Sequence, residues 1–184
     1  MTDSVFHSGI QRLVDAWAAL PGASRIPDRA AFDPNALGRL LPQVFIAERR
    51  DEGLVFRLAG GWIEGAHGRP LKGAYLLEVW RRDSRLMVHR GLAQAFRDGR
   101  PMIYSADMER EDGALLPAEV VAAPLRGPTG LPDRLLGLYQ PLSAEGDEAK
   151  AVQGLVVRAM TPATTPAARR AALTLASIDG RRIA

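Results

Sequence analysis

Apolar residues Phe6, Ile10, Leu13, Val14, Trp17 and Leu20 recur at spacings of three and four, while His7, Ser8, Gln11, Arg12 and Asp15 take the other faces. That period predicts an amphipathic helix, because residues three and four apart lie on one side of a 3.6-residue turn. Asp3 or Ser4 can cap its start, and Pro21-Gly22 stops it. The pair Asp33-Pro34 predicts a second, short helix, with a carboxylate at the N-cap and proline at the first helical position. This helix would bury Leu37, Leu40 and Leu41 before Pro42 ends it. Two apolar runs follow, 43–49 and 54–58, separated by Arg50-Asp51-Glu52-Gly53, a hairpin signal. In the second run Leu54, Phe56 and Leu58 are expected on one face and Arg57 on the other.

From 60 to 80 glycines break the pattern into short turns holding Trp62, Ile63, Leu71, Tyr75, Leu76 and Trp80. A longer helix is predicted over 83–97, with Val88, Leu92, Ala93, Ala95 and Phe96 on an apolar arc and His89 near its middle. Arg90, Gln94 and Arg97 fall opposite. Strand-like runs at 101–109, 115–125 and 134–142 complete the ordered part, divided by Arg110-Glu111-Asp112-Gly113 and by a loop over 127–132. The expected fold is α+β: a five-stranded antiparallel sheet with helices over one face, preceded by the amphipathic helix. Beyond Ser143 the pattern weakens. Residues 151–184 hold five arginines and one acid, Asp179. Pro162, Pro166 and the threonines between them suggest a tethered or partly disordered tail, with a helix conceivable over 167–175.

Composition narrows the chemistry. The chain has 184 residues, 47% of them hydrophobic, enough for one domain with a terminal extension. No run approaches the roughly 18 apolar residues of a membrane span, and no basic segment followed by an apolar one opens the chain. A cytoplasmic location is expected. The absence of cysteine excludes disulfides, thiolate metal sites and thiol nucleophiles. The net charge of +3 comes from 24 basic residues, of which only Lys72 and Lys150 are lysine. Acids are interspersed with them, so a solvated mixed surface is preferred to a nucleic-acid footprint.

The segment containing Trp17, Leu20, Pro21, Gly22, Ile26, Pro27, Arg29, Asp33, Pro34, Leu40, Leu41 and Pro42 carries a WxxLPG…IPxR…DP…LLP pattern. With the later Phe56-Arg57-Leu58-Ala59-Gly60 and Leu71-Lys72-Gly73 steps, it resembles the stand-alone single-domain PAS proteins of alphaproteobacteria. The resemblance spans about 10–142. It implies an extension and proline-rich connector over 1–42, a PAS-like domain over 43–142 and an arginine-rich tail over 143–184. It also implies a non-catalytic sensory or protein-interaction module in bacterial signalling that binds a partner protein, itself or a small ligand. The competing readings are a small enzyme using the same pocket and nucleotide or nucleic-acid binding through the tail.

PAS domains hold cofactors between the sheet and the central helices. The candidates for lining that space are Trp62, Trp80, His89, Tyr104 and Tyr139. A haem would take a histidine from the long helix, which singles out His89, although a hydrogen-bonded boundary histidine is the blander reading. Light-sensing flavin chemistry needs a cysteine that this chain lacks. Non-covalent flavin stacked on Trp62, Trp80, Tyr104 or Tyr139 competes with plain aromatic packing, and no cofactor is the preferred expectation. Metal is not expected, because His7, His67 and His89 lie far apart in no ligating motif. Asp107, Glu109, Glu111 and Asp112 read as a solvated hairpin, and Ser84 and Ser105 lack a nucleophile's setting. Phe6, Ile10, Leu13 and Trp17 either cap the domain's own sheet or pair across a two-fold axis, and a homodimer is the expectation.

Overall fold

The computed structural model describes residues 6–23, 25–143 and 151–164. The first helix, α1, spans Ser8–Ala18. A connector with 3-10 turns at Arg29–Ala31 and Pro34–Gln43 leads to strands β1 (Val44–Arg50) and β2 (Gly53–Ala59). Helix α2 (Gly61–His67), 3-10 turns at Leu76–Val79 and Arg82–Ser84, and helix α3 (Arg85–Asp98) form the crossover. Strands β3 (Met102–Arg110), β4 (Leu115–Leu125), β5 (Arg134–Pro141) and β6 (Val152–Pro162) follow among the described residues. All pair antiparallel in the order β2-β1-β5-β4-β3-β6.

The sheet therefore has six strands where five were expected. The sixth lies in the stretch read as a tail. It pairs with β3 along its length, from Met102 opposite Pro162 to Arg110 opposite Val152. Its residues do not alternate cleanly, and two register shifts against β3 break the period that would announce a strand. The helix considered over 167–175 lies outside the described residues.

Burial divides into two cores, one on each face of the sheet. On the inner face α2, α3 and the intervening turns cover Phe45, Phe56, Tyr104, Val120, Tyr139 and Leu155, among others. On the outer face Ile10, Leu13, Val14 and Trp17 of α1 pack on Val44, Ile46, Val121, Leu136 and Leu138. Ile10, Leu13 and Trp17 are at most 1% exposed, and Phe6 is partly buried beside them. This corrects their assignment as contacts with a second copy: they pack against the chain's own sheet. The Trp17 indole N–H also donates to the Pro124 carbonyl of β4 at 2.8 Å.

The connector is pinned to the end of β4. Arg126 N–H donates to the Pro27 carbonyl and Arg29 N–H to the Arg126 carbonyl, both at 2.9 Å. The Arg126 guanidinium pairs with Asp28. Asp33 accepts from Asn35 N–H, as the Asp-Pro start predicts, but Gly38 breaks the following turn at φ 52°, so only Leu37 is fully buried. Leu40 is half-buried and Leu41 is exposed.

A second departure sits in β2. A register shift at Ile46/Ala47 sets Phe56 opposite Ala47 but Leu58 opposite Ile46, so Arg57 is an extra residue. The bulge turns Leu58 away from the face of Phe56 and leaves it half exposed. Beside it the Glu48 carboxylate, 5% exposed, meets the guanidinium groups of Arg50, Arg57 and Arg134. Burial alone would raise its pKa, but its bonds to Arg57 and Arg50 and the Arg134 charge hold it below the ordinary value.

Trp17→Ala is expected to destabilise the chain by about 3–5 kcal/mol, because it empties the centre of the outer core and orphans the Pro124 carbonyl. Urea unfolding followed by far-UV circular dichroism measures this, and a loss below about 1 kcal/mol would show that α1 is not integral to the fold.

Candidate functional site

The inner face is where the sheet and the helical layer meet, and aromatic rings fill most of it. Phe45 lies over Gly137 of the neighbouring strand, where an added Cβ would come within 2.0 Å of the ring. That ring meets Phe56 edge-on at 5.4 Å and Tyr139 at 5.8 Å between centroids. Trp80 tilts against Tyr104 at 5.5 Å, and the Tyr104 hydroxyl donates to the Val88 carbonyl at 3.3 Å. Trp80, Tyr104 and Tyr139 are buried as the sequence leads one to expect, and Trp62 packs half-buried at the margin.

His89 is not among them. The buried stripe of α3 is Val88, Gly91, Leu92 and Ala95, and both His89 and Ala93 face solvent. The stripe turns on a glycine that hydropathy alone would not count as apolar. A Cβ on Gly91 would come within 2.7 Å of the Tyr104 hydroxyl and 3.0 Å of the Met160 sulfur. Centring the face on Gly91 rotates His89 outward, so α3 offers no histidine to an iron on the inner face.

The buried histidine is His67, at the C-terminal end of α2 and 8% exposed. One ring nitrogen is hydrogen-bonded to the Val152 backbone at the start of β6, while Nε2 has no partner. The ring stands edge-on to Tyr139 at 6.0 Å, and the Tyr139 hydroxyl is likewise buried without a partner. With Nδ1 donating to the Val152 carbonyl, Nε2 is a free acceptor and Tyr139 O–H a free donor. Sequence reasoning passed over His67 because it looked only for ligating pairs. Its one local signal is its place just before Gly68, the left-handed residue that closes α2 at φ 62°.

Burial pushes His67 down to about 4, with the Arg69 charge acting in the same sense and the Val152 bond opposing. Burial also raises both Tyr104 and Tyr139, so neither phenol ionises near neutrality. Strand β6 ties the helical layer to the sheet here. Arg81 N–H donates to the Leu155 carbonyl at 2.8 Å, and Val157 N–H donates to the Ser84 hydroxyl at 3.0 Å. Among the described residues no cluster of three or more His, Asp or Glu could hold a metal, and no helix is long and apolar enough to cross a membrane.

A curved antiparallel sheet closed on one face by short helices and one longer helix defines the class as α+β with a PAS-type order. A family model described as PAS domain matches residues 5–140, and the chain belongs to that family. Strand β6 lies beyond the matched stretch. No curated protein sequence matches the chain. Solved structures with a similar fold include a light-oxygen-voltage domain studied with a flavin analogue, 15% identical over 59% of this chain and 83% of that one, TM-score 0.48. The dark structure of the Aureochrome1 LOV photoreceptor is 14% identical over 58% of this chain and 80% of that one, TM-score 0.46. Drosophila melanogaster Cycle PAS-B with bound ethylene glycol is 12% identical over 53% of this chain and 99% of that one, TM-score 0.43. At these levels the likenesses say nothing about ligand or activity.

Unfolding returns His67 to its ordinary value of 6.5, so the unfolded chain binds a proton that the folded one refuses between pH 6.5 and about 4. The resulting stability is complete above pH 6.5 and falls as pH drops through that window, by about 3 kcal/mol in all. His67→Asn keeps a donor for Val152 and should flatten that part of the pH profile. Urea midpoints at about pH 7 and about pH 4.5 measure it, and equal slopes for the two proteins would place the titrating group elsewhere.

Proposed function

We propose that the chain is a non-catalytic sensory and protein-interaction module of bacterial cytoplasmic signalling, switched by a small polar ligand on the inner face. The observation that carries this reading is two buried, unpartnered polar atoms, His67 Nε2 and the Tyr139 hydroxyl, on rings that meet edge-on at 6.0 Å. Buried polar groups almost always find partners, because an unmade bond costs about 1–3 kcal/mol. An acceptor and a donor on neighbouring rings suit a molecule that presents a hydroxyl to them. Trp62, Trp80 and Tyr104 belong to the surrounding wall. His67 also holds the start of β6, so a ligand on its free nitrogen acts on the strand that joins the two layers. A homodimer, the other part of this reading, has to use surface other than the packed side of α1.

The test is native mass spectrometry and an absorption spectrum on protein purified from its own host, with Tyr139→Phe alongside. A retained small molecule is expected in the wild type, and Tyr139→Phe should weaken its retention by about tenfold, one hydrogen bond's worth. The ligand-free variant should be no less stable than wild type, since it loses an unpartnered hydroxyl. If nothing is retained, and flavin nucleotide, haem, small alcohols and carboxylic acids all leave the melting temperature unchanged, the sensory reading fails. The same spectra report the native mass, and a species of twice 19.9 kDa supports the homodimer.

A further inference from the structure

The opposite face of the sheet carries a second, unrelated feature. Between the start of α1, the turn at Pro34–Gln43 and β5 lies a cavity of about 340 Å³, lined by His7, Ser8, Gly9, Arg12, Arg39 and Gln140. We propose that it binds a phosphorylated sugar, free or as part of a nucleotide.

The donors come first. Arg12 Nε and Nη2 both donate to the Ala36 carbonyl, at 3.2 and 3.0 Å, which fixes the guanidinium plane and leaves its other N–H groups to the cavity. Arg39, exposed, also lines the cavity. Among the described residues neither arginine has a carboxylate partner, whereas Arg50, Arg57, Arg81, Arg126, Arg134 and Arg158 all do. His7 Nδ1 accepts from Gly9 N–H at 3.1 Å, so the neutral ring carries its proton on Nε2, and the Ser8 hydroxyl adds a further donor. Two guanidinium groups lining one cavity with neutral donors favour an oxyanion, and phosphate above all.

One carboxylate stands against this. Glu119 Oε2 accepts from His7 N–H at 2.9 Å and so places a carboxylate at the residue that caps the helix. The anion is therefore held by the side chains and not by the helix terminus.

The acceptor narrows the ligand. Gln140 is more than nine-tenths buried, its Nε2 donates to the Pro141 carbonyl at 3.0 Å, and its Oε1 has no partner. That oxygen lies against Gly9 in the cavity wall, where an added Cβ would come within 2.0 Å of it. Gly9, having no side chain, makes room for the buried Gln140 Oε1 against the start of the helix. A phosphate dianion has no proton to offer this oxygen, whereas a sugar hydroxyl beside the phosphate does. The volume also exceeds what inorganic phosphate needs and falls within the range of small-molecule sites.

Isothermal titration of the full chain at low salt, with ribose 5-phosphate, adenosine 5′-monophosphate, inorganic phosphate and ribose, tests the assignment. One of the two phosphorylated sugars is expected to bind at least tenfold more tightly than phosphate or ribose alone. Arg39→Gln, at an exposed position that does not disturb the core, should weaken it at least tenfold. Gln140→Met should narrow the gap between sugar phosphate and phosphate. Equal affinity for phosphate and sugar phosphate, unchanged binding in Arg39→Gln, or no saturable binding by any of the four overturns it. The inner-face variant Tyr139→Phe should leave this binding unaltered, which separates the site from the sensory one.

Discussion

The fold rests on the burial of the central strands from both sides. In β4 every residue from Ala118 to Leu125 is buried, which a sheet with one wet face cannot achieve. Helix α1 supplies the second cover, and its Trp17 indole is both the largest apolar group there and a donor to the β4 backbone. The prolines between α1 and β1 serve the same end. The main-chain bonds linking Pro27, Arg29 and Arg126 fasten the connector to the end of β4, which holds α1 across β4 and β5.

With α1 covering the outer face, α2, α3 and the turns between them cover the inner one. Its packing depends on two glycines that make room for rings: Gly137 beneath Phe45 and Gly91 beneath Tyr104. The rings are close-packed, so a polar atom without a partner there is conspicuous, and two occur together at His67 and Tyr139. His67 is also hydrogen-bonded to the backbone of Val152, the first residue of β6. Strand β6 is bonded to β3 on one side and to Arg81 and Ser84 of the helical layer on the other. Moving one end of it strains both layers at once.

The two faces therefore differ in chemical character. The inner one is lined by closely packed aromatic rings. The outer one has a cationic cavity at the start of α1, where Arg12 joins the helix to the Ala36 turn. A phosphorylated ligand there would sit across the joint between α1 and its connector, some distance in the fold from His67. Two inputs on opposite faces of one sheet would meet in the strands they share.

Local chemistry was enough to read most of the elements from the chain. Strand β4 was legible to the residue, because a largely apolar run bounded by turn residues marks a strand. The long helix and the Asp33 cap followed from period and capping in the same way. Tyr104, Tyr139 and Trp80 were legible as interior residues because large aromatic groups rarely stay in water. What the sequence could not determine were relations between elements distant along the chain. Strand β6 exists because β3 offers it an open edge, and its own irregular pattern does not announce that pairing. Leu58 turned outward through a bulge that only pairing with β1 defines. His89 faces solvent because the facing of α3 was set by Tyr104 pressing on Gly91, a contact between residues thirteen positions apart. Period and propensity are local properties and were decided by the sequence; register, facing and the meeting of lone polar atoms arise only when the layers close, and the tertiary structure decided them.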